Sequence, residues 1–275
     1  AQRYGHREIA DDGAVGTRFQ LGTQTLSVTT QTRLGRVRGR VGAQGLSKQY
    51  VAAGEEALTP AANTVSGGAF VYQEWPLTRG AAPEARAAVL QVGARYDLSR
   101  LSSRNGLSKF GPGRTVALRS PSGSLGLSVP LTATLTVSGS MAQAFRAPTV
   151  EELFSNAVHA ALGSYELGNA RLRPEVNRGA EAQLRYVSAH ATANLSGFVN
   201  QIQRFIVPDV QRDTLVNDVV LPLAVYRQAD AVLRGFEGSA ELRLREHVVL
   251  GVMGDYTRGQ FSGTRAPLPF MPPGR

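Results

Sequence analysis

The residues of this 275-residue chain that could do chemistry are few and scattered. Cysteine does not occur, which excludes a disulfide framework and a cysteine zinc site. The phosphate-loop, dinucleotide and nucleophile-elbow motifs are absent from the sequence. The four histidines are His6, His159, His190 and His247. No two of them stand at the spacing of a metal-ligand pair. The sequence therefore predicts neither an enzyme nor a bound cofactor.

Isolated polar residues remain as candidates for binding. The acid pair Glu55-Glu56 and the histidines are typical of solvated loop positions, but a cation or ligand site at such positions stays open. The arginines at positions 36, 38 and 40 share one face of a predicted strand, where they are either solvated, paired with carboxylates or attractive to an anionic ligand. Whether these residues can bind a ligand depends on the strands and loops that position them.

The net charge raises the question of nucleic acid. The chain has 30 Lys and Arg against 21 Asp and Glu, giving a formal charge of +9. Nearly all of the positive charge is arginine, since Lys48 and Lys109 are the two lysines. Nucleic-acid-binding domains gather their positive charge in one patch or stripe, whereas these arginines are spread along the chain. No nucleic-acid partner is predicted.

The elements that hold these side chains are predicted to be strands. Apolar and polar residues alternate with a period of two, for example from Arg86 to Leu98 and from Arg178 to Tyr186. Only a strand places alternate residues on opposite faces. A short helical turn is expected within 149–161. The predicted strands are 16–33, 36–50, 63–77, 84–100, 121–130, 133–146, 176–188, 191–208, 223–244 and 247–261.

The lengths and spacing of these strands favour a membrane barrel over a soluble sandwich. Many exceed the mean soluble strand of about 5–6 residues, and a tilted strand needs about 9–11 to cross a bilayer. Tight turns are expected near positions 35, 131, 189 and 246, and long loops at 51–62, 101–120, 147–175 and 209–222. Short periplasmic turns alternating with long extracellular loops are typical of outer-membrane barrels. Aromatic residues that could join the interfacial girdles are Tyr50, Tyr72, Trp75, Tyr96 and Phe198.

One segment is more specific than any periodicity. Residues 144–156 read AFRAPTVEELFSN, which resembles the FRAPT-x-EEL segment of TonB-dependent outer-membrane receptors. Gly168-Asn169 and then Leu172-Arg173-Pro174-Glu175 follow in the order common in that family. Weaker similarities are Tyr50 to Pro60 with an extracellular loop, Arg234 to Glu237 with the beginning of a strand, and Leu268 to Pro273 with a late periplasmic turn. The motif residues are Phe145, Arg146, Ala147, Pro148, Thr149, Glu151, Glu152, Leu153, Gly168, Asn169, Leu172, Pro174 and Glu175.

The motif also has a purely physical interpretation as a device for folding a loop. Thr149 and Glu152 have the spacing of a capping box, which suits a short helical turn. Pro148 cannot continue the hydrogen bonding of the preceding strand, and Arg146 can reach a carboxylate or loop carbonyls. Pro174 restricts the residue before it to an extended form and so prepares the next strand. Direct ligand contact by Arg146, Glu151 or Glu152 is the alternative.

The resemblance implies a fold, a location and a function. It implies an all-β fold, an antiparallel up-and-down transmembrane β-barrel of about 22 strands with an N-terminal plug. Residues 1–275 are then a partial barrel of about 10–11 long strands, with the plug and the C-terminal strands absent from the sequence. Such receptors lie in the cell outer membrane and import a scarce nutrient, most often an iron-siderophore or other metal chelate.

The resemblance also implies partners. These are the TonB complex, reached through the plug and TonB box, an extracellular chelate or similar small ligand, and the lipid bilayer. Three residues of the long loop are candidates to contact the ligand, namely His159, Tyr165 and Glu166. The competing interpretations are a passive porin-like or autotransporter barrel and a soluble all-β binding protein.

Overall fold

The chain folds into one antiparallel sheet of long strands. The computed structural model describes residues 1–9, 13–77, 87–216, 218–269 and 271. A short helix, α1 (Val150–Phe154), and 3-10 turns at Ser108–Phe110 and Ala160–Leu162 interrupt the strands. The strands are β1 (Gln2–Ile9), β2 (Val15–Leu34), β3 (Val37–Ala53), β4 (Ala62–Pro76), β5 (Val89–Ser103), β6 (Thr115–Pro130), β7 (Leu135–Arg146), β8 (Asn156–His159), β9 (Ser164–Leu167), β10 (Glu175–Val187), β11 (Ala191–Val216), β12 (Val219–Arg245) and β13 (Val248–Phe261).

The topology is an up-and-down meander. Each long strand pairs antiparallel with its neighbour along the chain, and β10 pairs with β7 because β8 and β9 leave the wall. β9 instead pairs in parallel with the upper part of β12, and β8 pairs with β9. The result is the predicted all-β partial barrel. The tight turns after β2, β6, β10 and β12 lie at one end, which the turn and loop rhythm makes periplasmic, and the connections after β3, β5 and β7 lie at the other, which we call the mouth.

The register separates two faces of this wall. Val137 lies beside Leu184, and Leu184 lies beside Leu195, so that apolar residues form rows across neighbouring strands. On the other face, Ser140 lies beside Glu181. Because side chains alternate between faces, the apolar rows form the outer, lipid-facing surface and the polar rows form the inner surface.

The predicted aromatic girdle is partly wrong. Trp75 and Tyr96 lie on the outer face, beside Leu90 and Ala69. Tyr72 lies beside Gly93 on the inner face, and its hydroxyl donates to Glu74 Oε1 (2.8 Å). Tyr50 and Phe198 also lie on the inner face by register. The sequence pattern identified aromatic strand residues, but a one-residue difference in register decides their face.

All ten predicted strands are present with shifted ends. β6 begins six residues earlier than predicted, at Thr115, so the predicted loop 101–120 is confined to 104–114. Residues 84–86 of one predicted strand lie outside the described residues. β1, β8 and β9 were not predicted. Within the 149–161 segment, α1 covers Val150–Phe154, 156–159 forms β8, and the second 3-10 turn begins at Ala160. Arg234 to Glu237 lie in the interior of β12 and not at its beginning.

The predicted loop at 209–222 is wrong. β11 continues to Val216 and β12 begins at Val219, so the two strands form a ribbon that rises beyond the wall. The pairing continues to Val216 beside Val219, with register shifts at 202/205 and 210/212. A run of valine and leucine favours extended pairing over a loop. We call residues 209–223 the ribbon.

The segment after β13 also differs from its prediction. β13 runs from the tight-turn end to the mouth, so residues 262–269 lie at the mouth and not at a periplasmic turn. The Leu268 amide donates to the Gly259 carbonyl (3.1 Å), and Leu268 is buried. Phe270, Pro272 and Pro273 lie outside the described residues. Among the helices of the described part of the chain, none is long and apolar enough to span a membrane.

Candidate functional site

The connection between β7 and β10, residues 147–174, is the most organised feature at the mouth. Arg146 ends β7 and lies directly opposite Glu175, the first residue of β10. The Nε and Nη2 atoms of Arg146 donate to the two oxygens of Glu175, both at 2.7 Å. The guanidinium also donates to both oxygens of Glu152, at 2.9 and 3.0 Å. One side chain therefore ties both ends of the connection to the helix inside it.

The helix is fixed by the capping box that the sequence predicted. The Glu152 amide donates to Thr149 Oγ1 (3.3 Å), and the Thr149 amide donates to Glu152 Oε2 (2.8 Å). These two bonds satisfy amides at the helix start that have no partner within the helix. Since Glu152 also accepts from Arg146, the cap and the ion pair share one carboxylate. The predicted reach of Arg146 to a carboxylate is confirmed.

A small hydrophobic core lies under this helix. Leu153 is 2% exposed, and it packs with Phe154 and Leu172 from the same connection. The wall contributes the rest of the cluster, with Leu101 from β5 and Ile206 from β11. The Ile206 amide donates to Glu175 Oε1 (2.6 Å), so the ion pair borders the core directly. Burial of this kind is the main source of stability for a connection of this length.

The turn at Gly168-Asn169 closes the connection against the helix. The Gly168 amide donates to the Ser155 carbonyl (2.8 Å), and the Asn169 amide donates to the Glu152 carbonyl (2.8 Å). A Cβ at Gly168 would stand 2.5 Å from the Phe154 backbone nitrogen, so only glycine permits this approach. Asn169 Nδ2 also donates to the Tyr226 carbonyl on β12 (3.3 Å).

The predicted ligand-binding residues His159 and Glu166 contact each other. His159 Nδ1 lies 2.7 Å from Glu166 Oε1, and the Tyr226 hydroxyl donates to Glu166 Oε2 (2.9 Å). The Glu166 side chain is 2% exposed, whereas that of His159 is 37% exposed. With Nδ1 occupied by the carboxylate, Nε2 is the ring nitrogen left for an external partner.

Tyr165 has a different set of contacts. Its hydroxyl donates to Asn156 Oδ1 (2.8 Å), and Asn156 Nδ2 donates to the Lys109 carbonyl. Burial raises the pKa of Tyr165, which keeps the hydroxyl protonated as a donor. Lys109 Nζ donates to the Glu55 carbonyl (2.6 Å), and burial lowers the pKa of this ammonium group. The chain Tyr165–Asn156–Lys109–Glu55 thus links three connections at the mouth.

The structure brings most of the motif together. Arg146, Glu152 and Glu175 form the ion pair, while Pro148, Leu153 and Leu172 are buried. Phe145 lies on the outer face of β7 beside Val176, away from this cluster. Ala147 lies between β7 and the helix, Glu151 accepts through its carbonyl from the Ser155 hydroxyl, and Pro174 precedes β10. Ligand contact by His159, Tyr165 and Glu166 stays a prediction.

Several residues of the site carry no signal in the sequence. Tyr226, Asn156 and Lys109 are distant along the chain from their partners, and Glu166 and Tyr226 are 60 residues apart. The acid pair Glu55-Glu56 lies in the connection between β3 and β4, where it was expected. Within the described residues, no group of three or more His, Cys, Asp or Glu side chains stands close enough to hold a metal ion.

Comparison with known proteins gives a consistent result. A family model described as the TonB-dependent receptor-like β-barrel matches residues 2–274. Among solved structures, the copper transporter OprC superposes with a TM-score of 0.73 at 20% identity, over 94% of this chain and 41% of that one. The hemophore receptor HasR of Serratia marcescens, solved with its hemophore and heme, superposes with a TM-score of 0.62 at 18% identity, over 90% of this chain and 42% of that one.

A third solved structure extends the comparison. The siderophore receptor PirA of Pseudomonas aeruginosa superposes with a TM-score of 0.57 at 17% identity, over 90% of this chain and 53% of that one. At these identities the likeness concerns the fold. The chain spans about two fifths to one half of the length of these solved proteins.

Proposed function

The chain belongs to the family of TonB-dependent receptor-like β-barrels, and from this premise we propose that the complete protein imports a metal chelate, such as an iron-siderophore. Members of this family lie in the outer membrane of Gram-negative bacteria and are transporters, not enzymes. In the proposal, the mouth captures the chelate and energy from the TonB complex drives its passage. Solved relatives named for copper, heme and siderophores support this substrate class.

The observation that carries the proposal is the arrangement around His159. The imidazole is partly exposed at the mouth, and the buried Glu166 carboxylate occupies Nδ1. A carboxylate on one ring nitrogen fixes the tautomer and makes the other nitrogen a better ligand or acceptor. Tyr226 in turn fixes the carboxylate. A chelate already carries most of its own ligands, so one oriented imidazole is a sufficient contact from this loop.

The experiment uses the full-length receptor in a Gram-negative host that lacks its own chelate receptors. Growth and uptake of radiolabelled iron are measured on a panel of ferric chelates, in strains with and without TonB. We expect uptake of at least one chelate that is lost without TonB. Uptake that persists without TonB would favour a passive porin-like barrel and contradict the proposal.

The role of His159 is tested in the same strains. For His159→Ala we expect at least a tenfold weaker half-saturation for the imported chelate, with unchanged receptor in the membrane. The matched control is His190→Ala, because His190 lies at a tight turn at the opposite end of the wall. Equal uptake by the His159 variant and the wild type would contradict a contact by this residue.

A further inference from the structure

A basic cleft opens on the outer face of the wall, just below the mouth. It has a volume of about 400 Å³, and none of its lining residues is acidic. It is formed between β6, β7, β10 and the first register shift of β11, outside the His159 site. Its charged lining residues are Arg119, Arg173, Arg178 and Arg204.

The register places this cleft on the lipid side of the barrel. Arg178 lies beside Gln143 on β7, and two residues further along β10 Ala180 lies beside Met141 in the apolar rows. From Arg178 to Leu184 the strand runs about 20 Å away from the mouth, at about 3.3 Å per residue. The guanidinium groups therefore stand at the outer margin of the apolar surface, at the level of the outer-leaflet headgroups.

Two of the arginines are held in place by uncharged groups. Arg204 Nε donates to the Pro174 carbonyl (2.9 Å), and Arg178 Nε donates to Gln143 Oε1 (3.0 Å). These bonds use one nitrogen of each guanidinium and leave the others to donate elsewhere. Among the described residues, none of the four arginines of the cleft forms an ion pair with a carboxylate. Asp230 accepts from the Arg204 backbone amide (2.9 Å) and not from its guanidinium.

The inner face of the wall carries both acids and arginines, such as Arg95 and Arg185, whereas on the outer face arginines lie opposite each other. Glu181, Glu237 and Asp255 lie on the inner face by register. On the outer face, by contrast, Arg234 lies directly beside Arg258 near the mouth. Arg7 and Arg18 form a second such pair. Like charges directly opposite each other are destabilising, so a surface built this way favours an anionic neighbour.

We propose that this cleft binds the phosphate groups of a phosphorylated glycolipid headgroup in the outer leaflet of the outer membrane. Arginine matches phosphate because its planar donors form paired, charge-assisted hydrogen bonds. Clustered basic residues at the membrane surface attract anionic headgroups. Because the Arg204 side chain also donates to the Pro174 carbonyl, the bound lipid would stabilise the beginning of β10.

The test uses the full-length receptor in detergent, with bisphosphorylated lipid A in mixed micelles as the probe. Lipid A stripped of its phosphates and inorganic phosphate alone are the comparison ligands. The variant is Arg119→Gln with Arg178→Gln. The matched control is Arg243→Gln with Arg245→Gln, which removes the same charge from exposed positions at the tight-turn end. Gel mobility before and after heating reports the folded barrel.

We expect the cleft variant to bind lipid A at least about tenfold more weakly, as for the loss of charge-assisted hydrogen bonds, and the control to bind as the wild type does. Removal of the lipid phosphates should weaken wild-type binding similarly. An equal loss in both variants, equal binding of dephosphorylated lipid A, or inorganic phosphate bound as tightly as lipid A would each overturn the proposal. If the double variant fails to fold, Arg119→Gln alone is used, since the Arg119 side chain is exposed; wild-type binding by it would also overturn the proposal.

Discussion

Two structures rise from the mouth end of the same wall, and they are stabilised in different ways. The 147–174 connection is folded around a buried core and an ion pair in which the Glu175 side chain is 9% exposed. The ribbon is two paired strands whose valines and leucines are largely exposed, as Leu215 is at 66%. At its base, Asp209 pairs with Arg227 of β12 (2.8 Å), and both side chains are partly exposed. The length of a segment at the mouth therefore does not determine how much of the segment is buried or how stable it is.

The β11–β12 hairpin itself has two parts that differ in their contacts. Near its base, Leu223 to Val225 pair with β9, and Tyr226 holds Glu166, so this part belongs to the folded connection. Further out, the strands pair only with each other. A paired hairpin without a packed face is marginally stable. We therefore expect substitutions to destabilise the connection strongly and the matched positions of the ribbon only slightly.

The largest expected effect is that of Arg146→Ala. It leaves the buried Glu175 and Glu152 carboxylates without their cation, which should cost about 3 kcal/mol in the free energy of unfolding. Loop folding and assembly should suffer more than ligand preference. The measurement is the amount of folded receptor in the membrane together with hydrogen exchange of 150–172.

The matched variant for this ion pair is Arg227→Ala at the base of the ribbon. Because both partners there are partly exposed to solvent, we expect at most about 1 kcal/mol. If the Arg146 variant reaches normal levels in the membrane but prefers a different ligand, the structural role of this ion pair is contradicted.

Leu153→Ala should have the next largest effect. Leu153 is 2% exposed, and its truncation leaves a cavity under the helix that should cost about 2–3 kcal/mol. Faster hydrogen exchange in 150–172 would report it. Leu215→Ala at the ribbon should stay within about 0.5 kcal/mol. Similar losses at the two leucines would show that the ribbon packs against something in the complete receptor.

Gly168→Ala tests the close approach of the turn to the helix. The new Cβ would meet the backbone at Phe154, so the turn must move, at a cost of about 1–3 kcal/mol. Protease cleavage within 147–174 should become faster. Gly45→Ala is the control, because a Cβ there meets nothing within 4 Å. Equal protease resistance of both variants would mean that the turn has room to relax.

The smallest effect is expected at the helix cap. Thr149→Ala removes the acceptor for the Glu152 amide and should cost about 1 kcal/mol, whereas Thr149→Ser should keep most of the bond. Local hydrogen exchange at 151–153 is the measurement. Identical exchange in the two variants would indicate that the ion pair alone holds the helix.

The parts of the site that the sequence predicted are local ones. The capping box and the proline positions are spacings of a few residues, and the structure has them where they were expected. Arg146 was expected to reach a carboxylate, but its partner Glu175 is 29 residues away, and only the pairing of β7 with β10 brings the two together. The contact of Glu166 with Tyr226 depends in the same way on β9 docking against β12.

The sequence by itself determined ten of the thirteen strands, most of their approximate ends, the two-faced wall and the motif that marks the family. Strand alternation and capping act over a few residues, so they can be read from the chain directly. Only the tertiary structure decided which face Tyr72 and Phe198 occupy, that 209–222 is a paired ribbon, and which arginines form a cleft. These depend on register and on strand partners far apart along the chain, where a shift of one residue exchanges the two faces.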